Sequence, residues 1–187
     1  NGIARYNYGA EVGWHALGSG VGCTGEGCSF TVYAIAIAGS NVYIGGWFTT
    51  AGGVIANYIA KWDGTTWSPL GSGMNNWVYA LTVYNGELIA GGSFASAGGS
   101  PASNIARWNG TDWVTVGGGV AWVSAGNAPG GVRAMAVFDD GSGPALFVTG
   151  TLGGSIEGRQ FTFLPRIREV LRIRDIAAPT AMIDISD

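Results

Sequence analysis

The chain alternates between short apolar runs and glycine-rich polar segments, a pattern that predicts short β-strands joined by tight turns. The run Val78 to Tyr84 is almost continuously apolar, as expected of a strand buried on both faces. The next run ends in Gly91-Gly92, where missing side chains allow close backbone approach or a bulge. The run Ile105 to Trp108 alternates, and Asn109-Gly110 predicts a two-residue hairpin loop before a fourth strand.

This four-strand pattern recurs along the chain. Residues 57–67 return as residues 103–113, and residues 32–53 return as residues 78–99, both with a shift of 46 residues. More divergent copies lie at residues 2–20 and 132–150. Four strands in about 45 residues, repeated, predict an all-β fold built from propeller blades.

Three motifs recur in register: Gly-Gly-x-Phe-x-x-Ala-Gly-Gly, Ile-Ala-(Lys/Arg)-Trp-(Asp/Asn)-Gly-x-x-Trp and Leu-Gly-Ser-Gly. Over about residues 2–152 the chain resembles the kelch-like or galactose-oxidase-like β-propeller repeats of secreted and surface-anchored bacterial proteins. The resemblance implies a propeller-like domain over residues 1–158. It does not select a function, because such repeats occur in enzymes, adhesins and scaffolds.

The strand count predicts two complete blades flanked by two half-blades. Propellers typically have about 4 to 8 blades, and unpaired sheet edges are templates for another chain. We therefore expect the half-blades to pair between subunits, in a filament or a closed oligomer; the alternative is a fragment of a larger secreted propeller protein. The predicted subunit contacts are Ile3, Ala4, Tyr6, Leu146, Val148, Leu164, Ile167, Leu171 and Ile173.

Residues 159–187 differ in character from the repeats. They contain no glycine or tryptophan and hold five of the nine basic residues. Their apolar spacing fits either a helix or a strand, so periodicity does not choose between them. We interpret this segment as a C-terminal tail, either an arm that docks on a partner subunit or a cap on the last blade.

Charge and cysteine content narrow the functional classes. The net charge is −3, and the first 158 residues carry no basic patch, which disfavours nucleic acid as a partner. No apolar stretch approaches the ~20 residues of a membrane-spanning helix. Cys23 and Cys28 enclose two glycines, and we predict a small disulfide loop, which favours a secreted or cell-surface location.

The residues needed for catalysis are scarce. His15 is the single histidine, and no P-loop, dinucleotide fingerprint, zinc spacing or nucleophile elbow is present, so we predict no enzyme activity and no cofactor. Asp139 and Asp140 are a candidate calcium site, but the distal glutamate of a calcium loop is missing and a hairpin turn is favoured. Asn109 begins an Asn-Gly-Thr glycosylation sequon.

The tryptophans fall into two groups. Trp62, Trp67, Trp108 and Trp113 recur in the repeat, which indicates a role in blade packing. The tryptophans that do not recur are candidates for a ligand-binding surface, with a glycan as the candidate partner: Trp47, Trp77 and Trp122. The leading hypothesis is an extracellular structural or self-assembling surface protein; the alternative is a carbohydrate-binding or adhesive propeller module.

Overall fold

The structure, a computed structural model, describes residues 2–8, 12–25, 27–120, 130–139 and 141–151. All regular structure in these ranges is antiparallel β-sheet, which confirms the predicted all-β class. The same ranges contain no helix that is long and apolar enough to cross a lipid bilayer. The predicted tail, residues 159–187, lies outside the described residues.

The described residues form seventeen strands. From the amino end they are β1 Ala4–Asn7, β2 Gly13–Ala16, β3 Val21–Gly22, β4 Thr31–Ala38, β5 Asn41–Trp47, β6 Thr50–Ala51, β7 Val54–Ile55, β8 Ile59–Trp62, β9 Trp67–Pro69, β10 Val78–Tyr84, β11 Glu87–Gly92, β12 Ser96–Ala97, β13 Ser100–Pro101, β14 Ile105–Trp108, β15 Trp113–Thr115, β16 Gly131–Asp139 and β17 Pro144–Thr151.

Two four-stranded sheets form the centre of the structure. Sheet I has the order β4-β5-β8-β9, and sheet II has the order β10-β11-β14-β15. Their registers are equivalent, since Gly45 pairs with Ile59 in sheet I and Gly91 pairs with Ile105 in sheet II. The predicted four-stranded repeat unit is therefore confirmed for these two copies.

A two-stranded hairpin lies at each end of the described chain. The N-terminal hairpin, β1-β2, matches the third and fourth strands of the repeat, and the C-terminal hairpin, β16-β17, matches the first and second. Neither hairpin pairs with the other, so the described residues do not close into a ring of sheets.

Small sheets brace the junctions between units. Strand β6 pairs with both β3 and β7, and β12 pairs with β13. The N–H of Gly98 also donates to the carbonyl of Gly73, at 2.8 Å. Just after β3, Cys23 and Cys28 form the predicted disulfide, with their Cα atoms 6.1 Å apart. These contacts tie the loops of each unit to the turn that leaves the preceding unit.

Apolar clusters fill the spaces between consecutive units. One lies between the N-terminal hairpin and sheet I, a second between sheets I and II, and a third between sheet II and the C-terminal hairpin. Phe48 and Phe94 occupy equivalent positions and are fully buried. Burying such a side chain contributes about 1.5–3 kcal/mol, so these clusters hold the row of units together.

The Gly-Gly pair at the end of each second strand is explained by close packing. A Cβ at Gly45 would overlap the side chain of Val78, and one at Gly91 would overlap Val132. A Cβ at Gly92 would also meet the backbone carbonyl of Trp77. The predicted close approach is therefore confirmed, and the β-bulge lies in the partner strand.

The predicted two-residue loop at Asn109-Gly110 is wrong. Strand β14 ends at Trp108 and β15 begins at Trp113, so the loop has four residues. The Asn109 side chain accepts hydrogen bonds from the N–H groups of Thr111 and Asp112, at 3.0 and 2.8 Å, and this stabilises the wider turn. A two-residue loop does occur in sheet II at Asn85 and Gly86, whose φ angles of 50° and 79° suit a primed turn.

Candidate functional site

The two terminal hairpins leave sheet edges open. Strand β1 has β2 as its single partner and β17 has β16, so each presents one unpaired edge among the described residues. Ala4 in β1 is exposed, whereas its equivalents Ala60 and Ala106 are fully buried beside their second strands. The exposure of Ala4 follows because no second strand lies beside β1.

The face of sheet I that looks toward the N-terminal hairpin is partly uncovered. Ile35 and Ile37 in β4 are 57% and 67% exposed. Their equivalents in sheet II are Leu81 and Val83, which are half-buried, and Leu81 packs toward sheet I. The N-terminal hairpin matches only the third and fourth strands of the repeat, so among the described residues β4, the first strand of sheet I, keeps these two isoleucines uncovered.

The C-terminal hairpin is also uncovered, on the face that points away from sheet II. Phe147 in β17 is 52% exposed, although its equivalent in sheet II, Ile89, is 1% exposed because the C-terminal hairpin packs on it. Phe138 is exposed beside Phe147, with ring centroids 6.2 Å apart. This hairpin therefore presents the face that, in sheets I and II, packs against the following unit.

A tryptophan in each fourth strand links its unit to the preceding one. The indole N–H of Trp67 donates to the Leu17 carbonyl at 2.8 Å, and that of Trp113 donates to the Leu70 carbonyl at 2.9 Å. These indoles are 7% and 5% exposed. Trp14 is the equivalent residue of the N-terminal hairpin, and it is 74% exposed because none of the described residues covers it as the preceding unit covers Trp67 and Trp113.

The predicted contact residues divide by orientation. Ala4 and Tyr6 are exposed, and the Tyr6 ring lies 5.3 Å from that of Trp14. Ile3 is half-buried. Leu146 is fully buried and Val148 half-buried against sheet II, so these two offer the backbone edge of β17 to a partner. The remaining predicted contacts lie outside the described residues: Leu164, Ile167, Leu171 and Ile173.

A second group of side chains lies where the first strands begin. Each first strand has a bulge near its start, at Tyr33, Tyr79 and Arg133. The Tyr33 and Tyr79 rings are 5.4 Å apart, and the Arg133 guanidinium lies 3.8 Å from the centroid of the Tyr79 ring. Bulges re-aim side chains, and here they bring one side chain from each of three units into a row.

Two predicted ligand-binding tryptophans adjoin this row. The Trp47 and Trp77 rings are 5.3 Å apart, and Trp77 lies 6.0 Å from Tyr79. Trp122, the third predicted residue, lies outside the described residues. We call Tyr33, Trp47, Trp77, Tyr79 and Arg133 the aromatic row. In the sequence, Tyr33, Tyr79 and Arg133 occupy equivalent positions of the repeat, whereas the two tryptophans do not recur. Neither observation indicates that these side chains meet.

The acidic side chains that the structure describes lie at the opposite end of the sheets. Within the described ranges they are four, and all lie in or directly beside the turns that join first to second or third to fourth strands: Asp63, Glu87, Asp112 and Asp139. Glu87 forms an ion pair with Arg107. The aromatic row therefore carries the positive charge of Arg133 at an end without described acidic groups.

Asp63 shows how these turns use a carboxylate. Its Oδ1 accepts from the N–H groups of Thr66 and Thr65, both at 2.8 Å, and the two threonine hydroxyls add further bonds. These bonds stabilise the ionised form and hold the pKa of Asp63 well below its usual range. Asp63 is exposed, and these hydrogen bonds stabilise its own turn.

Asp139, the candidate calcium residue that the structure describes, accepts hydrogen bonds within a hairpin turn. Asp139 Oδ1 accepts from the N–H groups of Gly141 and Gly143, at 2.9 and 3.0 Å, while Asp140 lies outside the described residues. No group of three or more His, Cys, Asp or Glu side chains among the described residues could hold a metal ion. Asn109, the sequon residue, is exposed in its turn.

Comparison with known proteins adds no functional information. No family model, no curated protein and no solved structure matches this chain. Functional interpretation therefore depends on the open edges, the uncovered faces and the aromatic row.

Proposed function

We propose that this chain is a non-catalytic, extracellular structural protein of propeller type, which self-associates by joining the N-terminal hairpin of one copy to the C-terminal hairpin of another. One observation carries the proposal: positions that are buried within the repeat are exposed at both ends. The two hairpins also supply complementary halves of one four-stranded blade. The disulfide is compatible with an extracellular location.

The repeat defines how the joined strands would pair. In sheet II, Leu88 pairs with Trp108 and Ala90 pairs with Ala106; sheet I uses the same register. Transferred to the junction, this register places Leu146 of one copy opposite Tyr6 of the other, and Val148 opposite Ala4. Pairing would satisfy the open backbone groups of β1 and β17 together.

The uncovered faces would meet in the same arrangement. In the completed blade, Phe138 and Phe147 of one copy would cover Ile35 and Ile37 of the other. Burying these side chains contributes about 1.5–3 kcal/mol each, whereas association costs roughly 4–15 kcal/mol. Side-chain burial alone is therefore marginal, and the strand pairing is needed as well.

Trp14 adds a third contact to the junction. In the repeat, each fourth-strand indole donates to the carbonyl of the residue that follows the fourth strand of the preceding unit. For Trp14, the corresponding acceptor is the Val116 carbonyl of the other copy. The junction would then bury an indole that is otherwise exposed.

Closure between copies is favoured over closure within one chain. Joining the two hairpins of one molecule would give a ring of three blades, fewer than the roughly 4 to 8 of known propellers. Two copies joined at both junctions would form a closed ring, and head-to-tail pairing that does not close would form a filament.

One position of the C-terminal hairpin departs from the repeat. Gly45 and Gly91 leave room for a valine of the next unit, but β17 has Thr149 at the equivalent position, and Thr149 is exposed. Val32 of the second copy would have to shift to pack beside Thr149. The junction would thus be looser at this point than the contacts between sheets I and II.

The mass of the purified chain in solution tests the proposal, measured by light scattering with negative-stain electron microscopy. We expect dimers or longer assemblies for the wild type and monomers for Ile37→Glu. The control is Ile55→Glu: Ile55 in β7 is an isoleucine of similar exposure, 70%, outside the junction. A wild type that stays monomeric at its highest soluble concentration, or equal effects of both variants, would contradict the proposal.

A further inference from the structure

We propose that the aromatic row is a binding surface for an acidic oligosaccharide, a chain of sugar rings that carry carboxylates. The surface is distinct from the proposed junction, because it lies where the first strands begin rather than at β1 and β17. The inference does not depend on self-association.

The row is an extended surface whose rings are tilted against one another, by 47° for Tyr33 and Tyr79 and by 36° for Trp47 and Trp77. Tyr33, Tyr79 and Arg133 come from three successive units, and Trp47 and Trp77 stand beside them with neighbouring ring centroids 5.3 to 6.0 Å apart. A ligand that contacts the whole row must therefore be elongated, with apolar faces that can meet rings set at different angles. A chain of pyranose rings has this form, because each ring presents a face of C–H bonds.

The indoles of the row differ from those used in packing. Trp67 and Trp113 are buried and donate to backbone carbonyls. Trp47 is 38% exposed and Tyr33 is 42% exposed, and within the described part of the chain the indole N–H groups of Trp47 and Trp77 have no acceptor. Exposed aromatic rings with a donor at the edge suit a ligand that combines apolar faces with hydroxyl groups.

Charge distinguishes an acidic sugar from a neutral one. Arg133 lies over the Tyr79 ring, and a guanidinium pairs well with carboxylates. The described acidic side chains are at the far end of the sheets, so they do not oppose an anion at the row. The π faces of the row also attract the partly positive C–H groups of a sugar ring.

Titration of the full chain with alginate oligosaccharides, which are built from uronic acids, tests the inference. We expect saturable binding by calorimetry together with a change in tryptophan fluorescence. Trp47→Ala and Trp77→Ala should each weaken binding about tenfold, the loss of a well-packed aromatic contact. Tyr8→Ala, which removes an aromatic ring that is 90% exposed outside the row, should leave binding unchanged.

Charge variants and a neutral ligand complete the test. Arg133→Gln should weaken alginate binding, whereas Lys61→Gln, a change of equal charge away from the row, should not. Neutral dextran oligosaccharides should bind more weakly than alginate. The inference is overturned if wild-type protein does not bind alginate, if dextran binds equally well, or if the control variants lose binding equally.

A further measurement separates this inference from the proposed function. The Ile37→Glu variant, expected to be monomeric, should bind alginate with unchanged affinity per chain. Loss of binding in that variant would overturn the claim that the two surfaces are distinct. Assembly of the wild type without alginate binding would leave the proposed function standing and remove the ligand site.

Discussion

At the residue scale, the turns at Asp63 and Asn109 show one side-chain oxygen organising four residues. In both turns Oδ1 accepts the N–H groups of the residues two and three positions later. The carboxylate and the amide are thus interchangeable as acceptors, but the carboxylate can be protonated. Acid should therefore weaken the turn at Asp63 and leave the turn at Asn109 intact.

We expect Asp63→Asn to remove part of the acid sensitivity of folding. The pKa of Asp63 is lower in the folded than in the unfolded chain, so its contribution is present above the unfolded pKa of about 3.9 and lost as pH falls toward the folded value. Thermal unfolding followed by circular dichroism from pH 7 to pH 2 should show the wild-type advantage shrinking with acidity. Asp112→Asn controls for the change in net charge, and parallel Tm curves for wild type and Asp63→Asn would contradict the prediction.

The glycine at the end of the second strand gives a steric prediction. Gly91→Ala places a methyl group against Val132, and the Met135 sulfur lies 3.3 Å from the added Cβ, so we expect destabilisation of about 1–3 kcal/mol. Urea unfolding measures the change. Thr149→Ala at the equivalent position of β17 is the control and should cost less, because that position is exposed. Equal losses would show that packing between units is not the cause.

At the element scale, the fourth-strand tryptophan links each unit to the one before it. Trp113→Phe removes the N–H that serves the Leu70 carbonyl, and an unpaired buried carbonyl costs about 1–3 kcal/mol. We expect this loss in urea unfolding of the monomeric Ile37→Glu background. Trp14→Phe in the same background should leave stability unchanged, because Trp14 is exposed without a partner copy. Equal losses of stability in the two variants would mean that the hydrogen bond from Trp113 to the Leu70 carbonyl does not explain the loss.

At the scale of the whole molecule, the units form a row in which each apolar cluster joins neighbours. Stability in such an array is approximately a sum of units and their interfaces, so under the proposed function the uncovered faces of the two terminal hairpins and sheet I would gain stability from pairing between copies. In the proposed junction, the register between β1 and β17 would decide which residues of the two copies lie opposite each other.

Cross-linking tests this register. A mixture of Ala4→Cys and Val148→Cys chains should form a disulfide-linked dimer under mild oxidation, seen on a non-reducing gel, because the repeat register places these residues opposite each other. Ala4→Cys mixed with Phe147→Cys should not, since a shift of one residue moves the side chain to the other face. Cross-linking in both mixtures, or in neither, would rule out this register.

The sequence indicated the local structure well because strand and turn preferences act over a few residues. The two four-stranded sheets, the close packing at Gly91 and the disulfide between Cys23 and Cys28 were all predicted and are present. The loop at Asn109 was predicted too short, because its extra length depends on a side-chain hydrogen bond rather than on the Asn-Gly pair. Trp14, which the proposed junction would bury, was not among the predicted contacts, although its alignment with Trp67 and Trp113 was visible in the repeat.

By itself, the sequence determined the strand repeat and the turn positions, since both follow from short-range pattern and periodicity. Tertiary structure alone decided which equivalent side chains are covered: Trp14 and Trp67 occupy the same position in the repeat, but one is exposed and the other buried. It also decided that Tyr33, Tyr79 and Arg133 meet, because bulges and packing between units set their directions. Burial and alignment across units depend on neighbours distant in the chain, which local pattern does not specify.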